Sequence, residues 1–515
     1  MAGRAAVWVV VNTIGPCVFR CVRGGVRGGF EHRELIVAKK SKASGGGGGG
    51  LLGQFKWEPQ PKAAALVASI VSDFLNRCSD AKQLSYRMLT ETGTRFGDWI
   101  DHIQIPTSAG GKSIRDRLLD VGYTPESHPA PKGSECLVNE LGVFPRVLLV
   151  EGKTTRVALK AEFVADFLAA HQISEARIDG EPLGQLRIAR VALGGAGKNC
   201  ELLVVERHGY LGYLPPVFDP SIAIKAMEHG ENLRRRKRDF DDDADGFREA
   251  NRIVDAAIVD IGRDWACDLF FAAEREHWMR RNHAARVQFR RQEKLGLGWA
   301  NHDHHTYRSS REYFSKLVAL FEKLGLRCRE RFYAGRDDQW GAQVMEQPVT
   351  GIITFNDVDM SPEELLGDFS HEGFKKKHKN PGTVGLWVGL HGEAVLQAGM
   401  HHLEAMFDWH ALVTQLERKA HVRTMDPFTT FPYLRQAFTE GERWLVSEKR
   451  IKRLIEQRLI THEQGESFRQ VGAIGSHLEN LERNDGFKGF NQEGVSDIIG
   501  RTDPRRQIKM VHAKA

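Results

Sequence analysis

The chain has 515 residues, of which 41% are hydrophobic and 27% are charged, and its formal net charge is +6. These values are typical of a globular protein with room for two or three domains, and they argue against a disordered, fibrous or nucleic-acid-binding chain. Seven cysteines without a C-x-x-C pair indicate neither a disulfide framework nor a structural zinc site, and they predict a reducing, cytoplasmic location.

Residues 1–56 predict a disordered leader. Basic residues are scattered through it, and the glycine run at 45–50 is typical of a flexible linker. An export signal is the alternative, but the apolar stretch at the start is short and stands before its basic cluster. A start codon assigned too far upstream would also explain the segment. No later segment has the roughly 18 consecutive apolar residues that a membrane span requires.

Residues 57–230 predict the first folded unit. Apolar side chains at spacings of three and four indicate a packing helix within 61–98. The elements that follow make a βαβββ order, with a strand over 99–105, a helix over 112–120 and strands within 136–150 and 156–163. A second β-rich stretch covers 185–213. The glycine-rich segment 194–197 lacks the ending of a phosphate loop, and therefore predicts a turn.

Residues 231–298 predict a charged linker followed by long helices. The basic run at 234–238 leads directly into the acidic run at 239–243, so the two fields cancel and a solvated linker is favoured over a polyanion site. From 244 to 294 the apolar residues recur at spacing four, which predicts one or two helices that end at the glycines before 299.

Residues 299–430 repeat the βαβββ order, with a polar insert. The predicted elements are a strand over 301–306, a helix over 311–324, strands over 327–333, 341–346 and 351–358, an insert over 361–381, and strands over 384–388 and 394–407. Residues 431–515 predict a C-terminal helical extension. The expected fold class is therefore α+β, with two βαβββ units that form a cupped mixed sheet around a metal site.

A cluster of histidines opens the first strand of the second unit. Three histidines occupy four positions at 302–305, and side chains alternate along a strand, so His304 and Arg308 share one face. Clustered histidines can also be solvated or can cap backbone groups. Their place on the first strand of a repeated unit favours metal binding.

A second cluster lies at 401–407, where His402 and Glu404 share a face of the predicted strand. A carboxylate inside an apolar strand is costly unless it is paired or bound to a metal. The alternatives are an ion pair with Arg308 or Arg331, or a helix over this stretch.

His102 stands on the first strand of the first unit, where His304 stands in the second. Alone it would be interpreted as a core histidine, and the matching position makes it a candidate ligand. Two imidazoles and one carboxylate on one face leave three positions open on Fe(II). We therefore predict His102, His304 and Glu404 as metal ligands, with His302, His401 or His402 as alternatives if the register differs.

Repeated βαβββ units with a histidine on the first strand resemble the vicinal oxygen chelate superfamily, in which two such units form a cupped sheet around one metal. The resemblance covers most of residues 85–430. Within the superfamily, the chain resembles the 2-oxoadipate dioxygenase/decarboxylase family, also called hydroxyglutarate synthase. That family has a His-x-Thr-x-Arg strand, matched by residues 304–308, and a carboxylate ligand after an insertion, matched by Glu404. The resemblance implies Fe(II) as the preferred ion, with Mn, Ni or Zn as alternatives.

The chain departs from this family around the substrate. The family has an arginine four residues after its first histidine, where this chain has Pro106, and its Val-Ser pair has only a loose counterpart at residues 495–496. We expect Arg308 to bind the substrate carboxylate instead, because a guanidinium forms bidentate bonds with carboxylates. We also expect Gln343 and Gln347 to orient a carbonyl group.

The sequence thus predicts an enzyme, a metal-dependent dioxygenase/decarboxylase that acts on a 2-oxo acid. The alternatives are a non-redox isomerase or lyase of the same superfamily, with Glu346 or Glu330 as base, and a non-catalytic protein that binds a small molecule. The expected partner is a carboxylic acid substrate, without nucleic acid or membrane, and the oligomeric state is left open. Oxygen consumption and metal content distinguish the three hypotheses.

Overall fold

The computed structural model describes residues 56–107, 113–191, 199–334, 339–375, 380–491 and 502–505. The predicted leader up to residue 55, the predicted turn at 194–197 and the Val-Ser pair at 495–496 lie outside these ranges. From Trp57 onward the described residues belong to one unit. None of the helices described is both long and apolar enough to cross a membrane.

The first sheet, sheet A, follows two helices, α1 (Pro61–Arg77) and α2 (Ser79–Arg87). It contains two βαβββ units in succession. The first comprises β1 (Ile100–Pro106), α3 (Ile114–Asp120), β2 (Thr124–Glu126), β3 (Glu135–Val138) and β4 (Arg146–Val150). The second comprises β5 (Thr155–Lys160), α4 (Val164–Ala170), β6 (Ile178–Asp179), β7 (Leu186–Val191) and β8 (Cys200–Arg207). The strand order is β2-β3-β4-β1-β5-β8-β7-β6, so the first strands of both units lie side by side.

Four helices connect the two sheets. They are α5 (Pro220–Arg234), α6 (Asp243–Ile261), α7 (Arg263–Arg280) and α8 (His283–Glu293). The sequence predicted long helices here from apolar residues at spacing four, and those residues are the ones buried, including Ile253, Ala257, Ile261 and Trp265. The helices pack into the same hydrophobic core as the second sheet.

The second sheet, sheet B, also contains two βαβββ units. The first comprises β9 (His302–Arg308), α9 (Phe314–Lys323), β10 (Arg327–Ala334), β11 (Trp340–Glu346) and β12 (Ile353–Asp359), followed by α10 (Phe369–Glu372) and α11 (Thr383–His391). The second comprises β13 (His402–Met406), α12 (Trp409–Ala420), β14 (Thr429–Phe431), β15 (Leu434–Phe438), β16 (Glu442–Trp444), α13 (Glu448–Glu456), α14 (His462–Val471) and β17 (Ala473–Arg483). The order β10-β11-β12-β9-β13-β17-β15-β14 matches that of sheet A, and β16 pairs with β17.

Local sequence explains how the units are built. In α9 the apolar residues at spacings of three and four are buried, and the helix is followed by Gly325, whose φ of +91° favours a residue without a side chain. In β17 nearly every residue is buried, because β13 and β15 flank its edges and α8, α11 and α12 contact it. Both faces of that strand therefore contribute to the interior.

The α+β class is confirmed, and the number of units differs from the expectation. Residues 57–230 contain two βαβββ units, so each sheet is complete by itself, as the superfamily resemblance implies for one metal cup. Residues 384–388, predicted as a strand, form part of α11, where seven of the nine residues are apolar or glycine. Residues 431–515, predicted as a helical extension, include β15, β16 and β17, which complete sheet B.

Candidate metal centre

The register of three central strands of sheet B brings acidic and imidazole side chains to one level. Glu404 on β13 pairs with His304 on β9 and with Glu479 on β17. Two residues along the strands, His402 on β13 pairs with His477 on β17. Because side chains alternate along a strand, all five project to the same face of the sheet.

The side chains at this level are close enough to share one ion. One ligand atom from each of His304, His402 and Glu479 lies within 4.8 Å of the others, and all three residues are buried. His304 Nε2 lies 2.8 Å from Glu404 Oε2, and His402 Nε2 lies 2.9 Å from Glu479 Oε2. Asp303, His304 and Glu404 form a second group with the same spacing. Asp303 is less suited to bind an ion because Arg483 occupies both of its oxygens.

Several polar atoms around this group are buried and have no hydrogen-bond partner. In the described part of the chain they are Thr306 Oγ1, Asp357 Oδ1, His402 Nδ1, Glu404 Oε2, Gln436 Oε1 and His477 Nε2. The short distance from Glu404 Oε2 to His304 is thus a close approach without hydrogen-bond geometry. An unsatisfied buried polar atom costs about 1–3 kcal/mol, so such a concentration indicates a site that is completed by a ligand.

A cavity of about 50 Å³ adjoins these side chains. One wall is polar, and the other consists of aromatic rings, namely Phe332, Trp340, Phe355, Phe428, Phe438 and Phe490. A space of this size holds an ion and a few waters, since one water needs roughly 10–15 Å³. A larger ligand therefore requires aromatic side chains to move aside.

Burial controls the charges in the cavity. It raises the pKa of Glu404 well above its usual value, with a further rise from the neighbouring Glu479, and it raises the pKa of Glu479 to about 8. Burial also lowers the pKa of His402, which keeps its imidazole neutral. Neutral imidazoles and deprotonated carboxylates are the forms that bind metals. A divalent cation would stabilise the deprotonated form of these carboxylates.

Arg308 lies four residues after His304 on β9 and lines the same cavity. Its side chain is 3% exposed, and its Nε donates to Asp357 Oδ2 over 3.4 Å. Among the described residues this long bond is the one hydrogen bond that its guanidinium makes, and the group also lies 5.6 Å from the ring centre of Trp387. Burial raises the pKa of Asp357 to about 7, against the effect of Arg308. The terminal nitrogens of Arg308 are thus available to a ligand in the cavity.

The predicted ligands are only partly brought together. His304 and Glu404 meet, and neither Arg308 nor Arg331 pairs with Glu404, so the alternative of an ion pair with these arginines is not found in the described structure. His102 lies on β1 of sheet A, where its Nδ1 is 2.7 Å from Asp101 and its Nε2 is 3.1 Å from Gln104 Nε2. It does not reach the cavity of sheet B.

The two predicted catalytic glutamines make structural contacts. Gln343 donates to the backbone carbonyls of Glu330 and Val344 and accepts from Ser370. Gln347 donates to Asp264 over 2.6 Å, and its oxygen accepts from the backbone of the turn that follows. Neither lines the cavity.

Glu479 is not among the metal ligands predicted from the sequence, and His402 is predicted only as an alternative ligand. The segment after residue 438 was interpreted as helix and loop, whereas it contains β17. A textual signal existed: Glu206-Arg207-His208-Gly209-Tyr210-Leu211-Gly212-Tyr213 resembles Glu482-Arg483-Asn484-Asp485-Gly486-Phe487-Lys488-Gly489-Phe490. The first copy follows a β-rich run, and the second therefore predicts a final strand before it.

Comparisons with known proteins give distant similarities. No family model and no curated protein sequence matches the chain. Among solved structures, a mutant of 4-hydroxymandelate synthase from Streptomyces coelicolor is 11% identical, with 80% of this chain and 99% of that chain covered and a TM-score of 0.24. The uncharacterized protein YdcJ from Shigella flexneri, which includes domain DUF1338, is 13% identical over 47% of this chain and 73% of that chain, with a TM-score of 0.22.

Methylmalonyl-CoA epimerase from Mycobacterium tuberculosis is 12% identical over 36% of this chain and 88% of that chain, with a TM-score of 0.20. These matches record similarity and transfer no activity to the chain.

Proposed function

We propose that sheet B binds one divalent metal ion through His304, His402 and Glu479, and that the protein is a metal-dependent oxygenase acting on a 2-oxo acid. The observation that carries this proposal is the convergence of two imidazoles and one carboxylate, from three adjacent strands, in a buried cavity. This donor set suits Fe(II), and Mn, Ni or Zn are also compatible with it. Unpartnered polar atoms around it support an occupied site.

An Fe(II) ion held there would supply redox chemistry toward oxygen, whereas the other ions would supply Lewis acidity. The chain's own residues account for binding and orientation. Arg308 binds the substrate carboxylate through its terminal nitrogens, and Asp357 holds it in place. The aromatic wall, with Phe355 and Phe490 against His304, excludes water from the reacting atoms.

Arg308 also links this site to the resemblance noted in the sequence. The family has an arginine four residues after its first histidine, and Arg308 stands four residues after His304, which is on the first strand of sheet B. Pro106 is then no departure, because the first strand of sheet A is not part of the proposed site. Under this proposal the family's first histidine corresponds to His304 and its arginine to Arg308.

Glu404 supports a second candidate function. Its carboxylate lies beside Glu479 and 2.8 Å from His304, so it is placed to become a fourth protein ligand. A fourth ligand would leave fewer open positions on the ion, which favours a non-redox isomerase or lyase over an oxygenase.

Metal analysis of protein purified without chelators, followed by oxygen uptake with a panel of 2-oxo acids, tests the proposal. We expect bound iron and oxygen consumption with at least one acid. Glu479→Gln should lose the metal, and Glu404→Gln serves as the matched variant that retains it. Equal metal loss in both variants, with turnover that consumes no oxygen, would favour the non-redox function. A chain that binds no metal would refute both.

A further inference from the structure

The metal-ligand candidate His304 is held by a chain of buried polar contacts behind it. His304 Nδ1 lies 3.1 Å from Asp303 Oδ2. Arg483 donates to both oxygens of Asp303, over 2.9 and 3.0 Å, and its remaining nitrogen donates to the backbone carbonyls of Phe487 and Gly489 over 3.2 and 2.7 Å. One guanidinium therefore joins the strand that carries the ligand to the turn after β17.

That turn reaches the cavity. The Phe490 ring packs edge-on against the His304 ring, with ring centres 5.0 Å apart, and the Arg483 guanidinium lies 5.4 Å from the same phenyl ring. Phe490 also lines the cavity. The contacts thus form a closed loop from His304 through Asp303 and Arg483 to the turn and back to His304.

The contact with Asp303 determines which nitrogen of His304 carries the proton. A carboxylate bound by Arg483 is an acceptor, so His304 donates from Nδ1, and in the neutral imidazole this places the free electron pair on Nε2. Nε2 is the nitrogen that faces Glu404. A ligand histidine held in this way has both its tautomer and its ring orientation fixed.

The same set of contacts occurs in sheet A, where no candidate metal group of the described residues includes His102. Asp101 lies 2.7 Å from His102 Nδ1, and Arg207 donates to both oxygens of Asp101 over 2.7 and 2.8 Å. Arg207 also donates to the carbonyls of Tyr210 and Gly212, and the Tyr213 ring packs edge-on against His102 at 4.9 Å. Here His102 Nε2 meets Gln104 rather than a carboxylate.

We infer that Asp303 and Arg483 are positioning residues for the metal ion, which fix His304 for coordination and couple its binding to the turn at residues 486–490. This inference rests on the proposed metal site. Asp101 and Arg207 make the same contacts around a histidine that is not part of the proposed site, so they provide matched controls within the same chain.

The first test compares Asp303→Asn with Asp101→Asn in the full-length protein, with Co²⁺ as the probe. We expect Asp303→Asn to weaken Co²⁺ binding by about 10- to 100-fold and to change the visible absorption of the bound ion. Asp101→Asn should leave both unchanged while lowering the melting temperature of the metal-free protein by a similar amount. A purely structural role predicts matching melting temperatures and no difference in Co²⁺ binding, and that result would overturn the inference.

The second test measures the coupling to the turn. Hydrogen exchange of a peptide that spans residues 484–491 should slow when Co²⁺ binds to the wild-type chain, and much less when it binds to Arg483→Lys, whose side chain cannot bridge Asp303 and two carbonyls. Arg207→Lys should leave this response intact. Equal slowing in all three proteins would overturn the coupling. A wild-type chain that binds no Co²⁺ or other divalent ion would overturn the proposed function, and this inference with it.

Discussion

Sheet A and sheet B have the same strand order and the same Asp-His pair on their first strand, yet they differ at the positions on the two neighbouring strands that could bind an ion. The registers align His102 with His304, and they place Arg156, Ala158 and Leu203 of sheet A where sheet B has His402, Glu404 and Glu479. The comparison teaches that the fold supplies a supported histidine in each sheet. The residues on the neighbouring strands decide whether it can hold an ion.

The interiors of the two sheets differ in the same way. In sheet A, Ala158 and Leu203 pack with Leu186 and Val205, and Arg156 pairs with Glu201 over 2.6 Å. In sheet B the corresponding face keeps buried polar atoms without partners. Burying unpaired polar groups costs free energy, so we expect this face of sheet B to be less stable without a ligand than the apolar face of sheet A.

The largest expected effect separates the two histidines. His304→Ala should weaken metal binding by more than about 100-fold, because even the loss of an outer partner costs 10- to 100-fold. His102→Ala removes an equally buried imidazole and should leave the metal content unchanged. Metal analysis of both proteins, with unfolding curves as the control, tests the comparison. Metal loss in His102→Ala alone would place the centre in sheet A, whereas metal loss in both variants would restore the ligand set predicted from the sequence.

A second prediction would make the sheets more alike. The double variant Arg156→His with Leu203→Glu gives sheet A the ligand types of sheet B. Without metal, the free energy of unfolding should fall by about 3 kcal/mol, because a carboxyl replaces a buried leucine. Added Co²⁺ should restore about 3–4 kcal/mol if it exceeds its dissociation constant 100- to 1,000-fold.

The matched control for this graft is Arg156→His with Leu203→Gln, which has similar polarity and a weaker ligand. It should be destabilised without recovery in Co²⁺. If neither double variant binds a second ion, residues beyond the aligned ligand positions determine where the metal binds.

The comparison also explains what sequence could and could not predict. The strand of His304 was predicted from its clustered histidines, because six of its seven residues are buried and give no alternating pattern. Hydrophobic periodicity identified the α+β class and the linking helices, because helices such as α6 and α9 bury one regular face. It did not reveal that residues 185–213 form part of a second βαβββ unit. As a result, the histidines on the first strands of two separate sheets were assigned to one centre.

The missing ligand candidate could not be read from local pattern alone. Glu479 lies in a strand whose two faces are both buried, and such a strand shows no simple alternation of polar and apolar residues. Its pairing partner is 75 residues away in the chain, by register with Glu404. Only the paired strands show that two carboxylates and two imidazoles meet.

A third prediction concerns the end of the cavity at Arg308, which sheet A replaces with Pro106. Arg308→Lys keeps the charge and loses the planar fork, so apparent affinity for the best 2-oxo acid should fall by about tenfold while metal content stays the same. Arg146→Lys in sheet A, which loses a similar contact with Glu126, is the control and should not change affinity. Unchanged affinity in Arg308→Lys would exclude its role in binding the substrate.

The smallest expected effect is a change in the pH dependence of the unfolding free energy. It tests whether sheet A is stabilised by ion pairs at a position where sheet B has an uncharged side chain. His208 follows Arg207 and contacts Glu206 and Asp268, each over 3.0 Å, and Asn484 takes the same place after Arg483. Burial alone would lower the pKa of His208, but the two carboxylates raise it to about 10. Because the folded pKa lies above the unfolded value near 6.5, the stabilisation is fully present below about pH 6.5 and is lost as the pH rises toward 10. Between pH 7 and pH 9 the wild-type chain should therefore lose about 1 kcal/mol of unfolding free energy per pH unit relative to His208→Asn.

The His208→Asn variant gives sheet A the residue that sheet B has at this position. Denaturant unfolding of both proteins from pH 7 to pH 9 measures the difference. Parallel pH profiles would mean that His208 is not held as an imidazolium, and that the two sheets do not differ in this respect.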